Sequence, residues 1–354
     1  MKLLSTLLVV VLAFPPAETN PPLALLPVAP AQNLFIVTLD GFRWQEVFAG
    51  ADPALLSNPK YTPDTALAHM MYGDADAQQR RARLLPFFWH VVAKKGSLYG
   101  NRNFGNKVNV ANLYHFSYPG YNEMLTGKAD FKTSSNEKRN NHNITLLEFL
   151  QQLPQFAGQV AAFSSWDVFP YILNEARSGI YVNSGYQQVK QLTSQATDML
   201  NAVQAAGIDA PGNVRYDGLT FIAAKEYVAK KQPRVLFLSF GETDEAAHAG
   251  RYDLYLQAAK ETDAALAQLW QYIQTTPAYR NKTTLLITTD HGRGRSEKNW
   301  TTHGMFIAGS SQTWIAALGP NIPALGEVQV SQQLYQKDVA ATAAQILGVQ
   351  FGKQ

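Results

Sequence analysis

Three stretches of the chain are apolar almost without interruption and run into an acidic residue. NLFIVTL (33–39) leads into Asp40 and Gly41, VLFLSF (235–240) into GETDEAAHAG, and LLITT (285–289) into Asp290 and His291. Such runs, rich in β-branched residues and closed by a turn, predict strands buried on both faces. A fourth, QVAAFSS (159–165), has the same character.

Between these strands the period lengthens to that of helices. LLPFFWHVVAKKG (84–96) predicts a helix with Pro86 in its first turn and Gly96 as its stop, and it places His90 in an apolar segment as a packed core histidine. SYPGYNEMLTG (117–127) predicts a short helix with Pro119 in the first turn and Gly127 past its end. Further helices are predicted over 144–153, 187–206 and 216–231. Ala259, Thr262, Leu266, Leu269 and Ile273 mark one face of a long one. TWIAALGP (313–320) reads as an edge-like strand and the last helix stops at Gly348, whereas residues 98–113 read as irregular. Strands alternating with helices predict an α/β fold with a mostly parallel central sheet flanked by helices on both faces. No repeat of fixed period is present.

Composition narrows the class. The 354 residues are 46% hydrophobic and 16% charged, as in a globular chain, and residues 31–354 read as one domain with a polar, Pro-rich surface insert near 49–82. A net charge of +3, with Arg80, Arg81 and Arg83 as the one basic run and a solvated face, gives no sign of a nucleic-acid partner. Residues 1–20 put one lysine before a short apolar run, which predicts a signal peptide, an exported (periplasmic or extracellular) chain and no stable membrane anchor. The boundary lies somewhere in the Pro-rich leader that follows. Without cysteine there is no disulfide, thiol nucleophile or thiolate metal site, so a metal must be held by His, Asp and Glu.

In open α/β sheets ligands bind outside the carboxyl ends of the strands, so Asp40, Asp244 and Asp290 are expected to converge. His248 lies four residues after Asp244, on the same face if that segment is helical, and His291 and His303 follow Asp290. Glu242 or Glu245 could take the place of Asp244. Oxygen and imidazole donors without sulfur suit Zn²⁺ or a harder ion such as Mn²⁺, and six of them suffice for two ions. Ser117 opens its helix, either as an N-cap alone or as a hydroxyl placed where an anion is favoured.

LDGFR at Asp40, SYPGYNEMLTG at Ser117, ETDEAAH at Asp244, TTDHGRG at Asp290 and THG at His303 together resemble the alkaline phosphatase superfamily, in particular its nucleotide pyrophosphatase/phosphodiesterase-like and phosphoglyceromutase-like bacterial members. The resemblance covers nearly all of the chain after its leader. It implies one metal held by Asp40, Asp290, His291 and the Ser117 oxygen, and a second held by Asp244, His248 and His303, with Zn²⁺ at both. It also implies Ser117 as the nucleophile of a phosphate ester hydrolase acting through a phosphoserine. Asn136 is the chosen phosphate-binding asparagine, with Asn140 and Asn141 as rivals.

Departures shape the expected substrate. The sulfatase pattern C/S-x-P-x-R meets Tyr121 where it needs arginine, and the Lys-x-Arg pair of some monoesterases meets Trp166, Asp167 and Val168. Both departures favour a small phosphodiester or nucleotide-type substrate over a monoester or sulfate. Arg43, Arg102 and Arg177 remain as other sources of positive charge. A mutase would need a second domain for which there is little room.

Overall fold

The computed structural model describes residues 30–352 except 191, 207–213 and 321. The signal-peptide reading therefore lies outside the described residues. Among the described residues eleven strands form two sheets: β1 (Asn33–Leu39), β2 (Gly96–Tyr99), β3 (Asn106–Asn109), β4 (Val160–Ser164), β5 (Tyr181–Ser184), β6 (Val235–Phe240), β7 (Thr283–Thr288), β8 (Gln312–Thr313), β9 (Ile315–Leu318), β10 (Gly326–Glu327) and β11 (Gln332–Tyr335). The main sheet has the order β10-β2-β9-β7-β1-β6-β4-β5, and β11-β3-β8 form a small second sheet.

The three apolar runs that end in acids are the three adjacent central strands. β1 pairs in parallel with β6 on one side and β7 on the other, with Thr38 opposite both Ser239 and Thr288. This register brings their carboxyl ends level. Alternation along β1 sends Phe35, Val37 and Leu39 into one apolar layer and Leu34 and Ile36 into the other. The first layer is covered by the helices Asp217–Lys231 and Tyr252–Thr275, the second by Ser117–Thr126, Leu146–Gln152 and Asp338–Ile346. Each large apolar side chain so buried contributes about 1.5–3 kcal/mol, which fixes the strand ends firmly enough to carry a site.

Several expectations need correction. TWIAALGP supplies β9, which is interior: it runs antiparallel between β7 and β2. It reverses the strand direction in an otherwise parallel sheet, so the sheet is mixed. Residues 98–113 contain strand β3 and the end of β2. The segment 49–82 forms three helices, Pro53–Leu56, Thr65–Tyr72 and Ala77–Leu84, and it buries Leu55, Leu56, Tyr61 and Tyr72 in the core. The first helix of the 187–206 stretch is shorter, Gln195–Ala205, and the helices Phe169–Ile172 and Glu175–Ser178 and strand β5 were not anticipated. In the helix before β2, a π turn at Phe88–Val92 shifts the phase, and His90 is exposed rather than packed in the core. Arg81 is not merely solvated: its guanidinium lies 3.5 Å from the Trp89 ring and pairs with Glu327 at 3.0 Å.

Candidate metal centre

At the carboxyl ends of β1, β6 and β7 the side chains form two groups whose donor atoms lie within 4.8 Å of one another: Asp40, Asp290 and His291, and Asp244, His248 and His303. Asp40 directly follows β1, and Asp290 and His291 lie just past β7. Asp244 and His248 share one face of the helix Glu242–His248, as their spacing of four requires.

The first group is wholly buried. His291 Nε2 lies 3.3 Å from Asp40 Oδ1 and 3.5 Å from Asp290 Oδ2. His291 Nδ1 lies 2.9 Å from the Gly292 carbonyl, so Nδ1 carries the proton and Nε2 presents its lone pair inward. Gly41 N–H donates to Asp290 Oδ1 at 3.1 Å and Tyr121 Oη–H to Asp40 Oδ2 at 3.1 Å. Asp290 Oδ2 is buried without a hydrogen-bond partner. A buried carboxylate oxygen left so is costly unless a cation meets it.

Ser117 is the first residue of its helix. The N-cap is Phe116, whose side chain accepts no hydrogen bond from the helix. The Ser117 hydroxyl is buried and lies 3.3 Å from His291 Nε2 and 3.5 Å from Asp40 Oδ1. Tyr118 N–H donates to Asn136 Oδ1 at 3.0 Å, which brings the Asn136 amide beside the serine. Asn141 is spent elsewhere, donating to Asn122 and to the Ile172 carbonyl, and both Asn136 and Asn140 are exposed.

The second group is more open. His248 Nε2 lies 2.9 Å from His303 Nε2 and 3.1 Å from Asp244 Oδ2. The other oxygen of Asp244 accepts from buried Arg293. His303 Nδ1 faces the His115 carbonyl at 3.3 Å, which again leaves Nε2 for a ligand. Two imidazole Nε2 atoms and a carboxylate oxygen aimed at one point form a donor set that fits a divalent cation.

Residues 184–314 match the family model described as Metalloenzyme superfamily. Among solved structures, wild-type alkaline phosphatase PafA is similar at 12% identity with a TM-score of 0.58, covering 92% of this chain and 97% of that one. Murine ectonucleotide pyrophosphatase / phosphodiesterase 5 is similar at 12% identity and a TM-score of 0.57, covering 91% and 97%. The chain shares its fold with these two enzymes. The lipoteichoic acid synthase LtaP from Listeria monocytogenes shares that fold too, at 12% identity and a TM-score of 0.57 over 91% of this chain and 73% of its own. No protein of curated function matches the chain by sequence.

Within this fold the electrostatics of the two groups differ. Burial, reinforced by Asp244, pushes the Asp40 carboxyl well above the ordinary range, and burial with Asp40 does the same to Asp290. Burial also works against an ionised Asp244, yet Arg293 and the two histidines hold it well below that range. Ionised carboxylates in the first group thus have little compensation from the chain itself, and a divalent cation would supply it.

Some contributors carried no signal read from the sequence. Glu123, on the Ser117 helix, accepts from the Ala111 and Asn112 N–H groups at 2.7 Å each and so anchors the loop before the serine. His115 in that loop has φ +54°, which turns its carbonyl toward His303. Arg293 donates through Nε to the Trp300 carbonyl at 3.0 Å. Trp300 is fully buried edge-on against Tyr61, Tyr252 and Tyr255 and pins the loop that carries His303. Arg43 is buried against Glu46 and donates to the Gly294 carbonyl at 3.1 Å, whereas Arg102 and Arg177 bind Asn109 and Glu148. These three arginines are committed to structure. Asp167 pairs with Lys138 at 2.6 Å. Glu242 accepts from Asp217 N–H at 2.7 Å, so Asp244 and not Glu242 faces the histidines.

Proposed function

We propose that this chain is an exported metal-dependent hydrolase of small phosphate esters, diesters or nucleotide-type esters above all, with Ser117 as nucleophile. The observation that carries the reading is the Ser117 hydroxyl, which caps nothing and sits 3.3 Å from His291 Nε2 at the edge of the buried carboxylate pair. Asp40, Asp290, His291 and the Ser117 oxygen would hold one ion, and Asp244, His248 and His303 a second; Zn²⁺ fits such donors and Mn²⁺ is the other choice. When bound, such ions make a hydroxyl far easier to deprotonate and offset the charge on phosphate oxygens.

The chain's own groups account for the rest. Ser117 Oγ attacks phosphorus, the Oγ–P bond forms, and the bond to the leaving alcohol breaks as that oxygen takes up a proton. Water then cleaves the phosphoserine and returns the hydroxyl. Asn136, whose amide oxygen is held by Tyr118 N–H, keeps its NH₂ group for a non-bridging phosphate oxygen. The Asp167–Lys138 pair supports a diester over a dianionic monoester, because the extra charge of a monoester meets no unpaired arginine there. Among the described residues no helix is long and apolar enough to cross a membrane.

The test is hydrolysis of aryl phosphate monoesters, diesters and sulfates with added Zn²⁺ or Mn²⁺. The expected outcome is metal-dependent turnover, fastest on a diester, and a loss of about 10³-fold or more in Ser117→Ala. Metal binding with equal inactivity of wild type and Ser117→Ala on every substrate would instead mark a non-catalytic metal- or phosphate-binding protein.

A further inference from the structure

Beside His248 a cleft of about 490 Å³ opens to solvent. It lies at the far end of a row of contacts that starts at the serine. Ser117 Oγ meets His291, the His303 ring stacks on His291 with centroids 4.1 Å apart, and His248 meets His303 at 2.9 Å. A group leaving phosphorus on the side of the Asp244–His248–His303 group would meet this cleft, which His248 lines.

The lining has a defined chemistry. Glu242, Glu245 and Glu261 bring three carboxylates, and no lysine or arginine lines the cleft. Glu242 and Glu261 each have one neutral partner, the Asp217 N–H and the Gln257 amide. Glu245 makes no side-chain hydrogen bond or ion pair among the described residues, although it is partly buried. The walls between are apolar: Leu254 is 41% and Tyr216 36% exposed, and both face this space. Carboxylates spaced around an aromatic ring and aliphatic surface are what an alkylammonium group requires, since its charge needs anions and π faces while its methyl or methylene groups need apolar contact. An anionic group would face uncompensated repulsion here.

We propose that this cleft is the leaving-group subsite for a cationic alcohol, so that the substrate is a phosphate ester of an amino alcohol or quaternary ammonium alcohol. The proposal rests on the hydrolase reading above for its catalytic half, while the cleft's preference for an alkylammonium is a binding property of its own. The chemistry balances as before: the P–O bond to the cationic alcohol breaks, the alcohol leaves protonated, and water supplies the oxygen retained on phosphate.

Two measurements on the metal-loaded protein test it. Choline is titrated by calorimetry against its uncharged isostere 3,3-dimethylbutanol, in wild type, Glu245→Gln and Glu261→Gln. In parallel, kcat/KM is compared for glycerophosphocholine and the matching 3,3-dimethylbutyl diester. The expected results are saturable choline binding, about tenfold weaker in each variant, and a cholinium-to-neutral kcat/KM ratio that falls by the same factor. Choline binding that the variants weaken, with neither ester hydrolysed, supports the cleft and sinks the hydrolase reading. Turnover of both esters at equal rates, with choline and dimethylbutanol binding alike or not at all, overturns the cleft and leaves the hydrolase standing. Displacement of bound choline by Mn²⁺ at the three glutamates would also overturn it, by making the cleft a third cation site.

Discussion

The two donor groups touch through the stacked rings of His291 and His303, yet they are built from different material. Asp40, Asp290 and His291 follow strands in the middle of the sheet and are buried. Asp244 and His248 sit on a helix of seven residues and His303 on a loop, and the His248 side chain is 45% exposed. One group is framed by the core and the other is reached from solvent. The rigid group is the one that holds the serine, while the open group borders the cleft. This division suits a reaction in which the nucleophile must be fixed and the leaving group must escape.

The sharpest way to break the comparison is Asp290→Asn. It removes charge from a buried group with no alternative donor, and it is expected to lower the bound metal by one ion per chain and activity by about 10³-fold, checked by elemental analysis after dialysis and by diesterase rate. Unchanged metal stoichiometry would show that the ligands are misassigned. His248→Gln, in the open group, should lose less: the first ion stays, and the second binds about 10–100-fold more weakly, as read from metal titration. Equal losses in the two variants would abolish the distinction between framed and open groups.

Gly41→Ala perturbs both groups through the backbone. Gly41 has φ +58°, and a Cβ there would lie 2.7 Å from Asp244 Oδ1 and 3.1 Å from His291 Cε1. The strain alone costs about 1–2 kcal/mol, measurable by chemical denaturation, and weaker metal binding should accompany it. A variant as stable as wild type with full metal content would mean that the turn is more pliable than its contacts imply.

The smallest effect concerns a buried acid that belongs to neither group. Asp263 accepts N–H bonds from Phe87 and Phe88 at 2.8 and 2.9 Å, and burial pushes its carboxyl up to about 7. Its folded pKa is the higher one, so its stabilisation is complete below about 3.8 and is lost as pH rises toward about 7. Asp263→Asn should therefore flatten the fall in stability between pH 5 and pH 8, read as the difference in Tm between the two proteins. A parallel pH profile in both would assign the slope to other groups.

The sequence disclosed the strand ends because three uninterrupted apolar runs can only be central strands, and acids that follow them must meet when the register is level. It did not disclose the segment 49–82, because Leu55, Leu56, Tyr61 and Tyr72 are shared among helices too short to show a period. β9 was misread as an edge because β2, its second neighbour, comes from more than two hundred residues earlier and leaves no local mark. His115 and Glu123 act through a carbonyl and through backbone amides, for which side-chain identity is a poor guide. Arg293 stood in view within DHGRG, but only the fold shows that it turns back to Asp244.

The connection from β7 to β8 carries Asp290, His291, Arg293 and His303, so one loop delivers donors to both groups. Once an ion in the buried group has ordered this loop, a second ion meets His303 with its chain entropy already lost. Loading should therefore be positively cooperative. Ions titrated into the metal-free protein should give fully loaded and empty molecules in excess over half-loaded ones, a distribution that native mass spectrometry resolves.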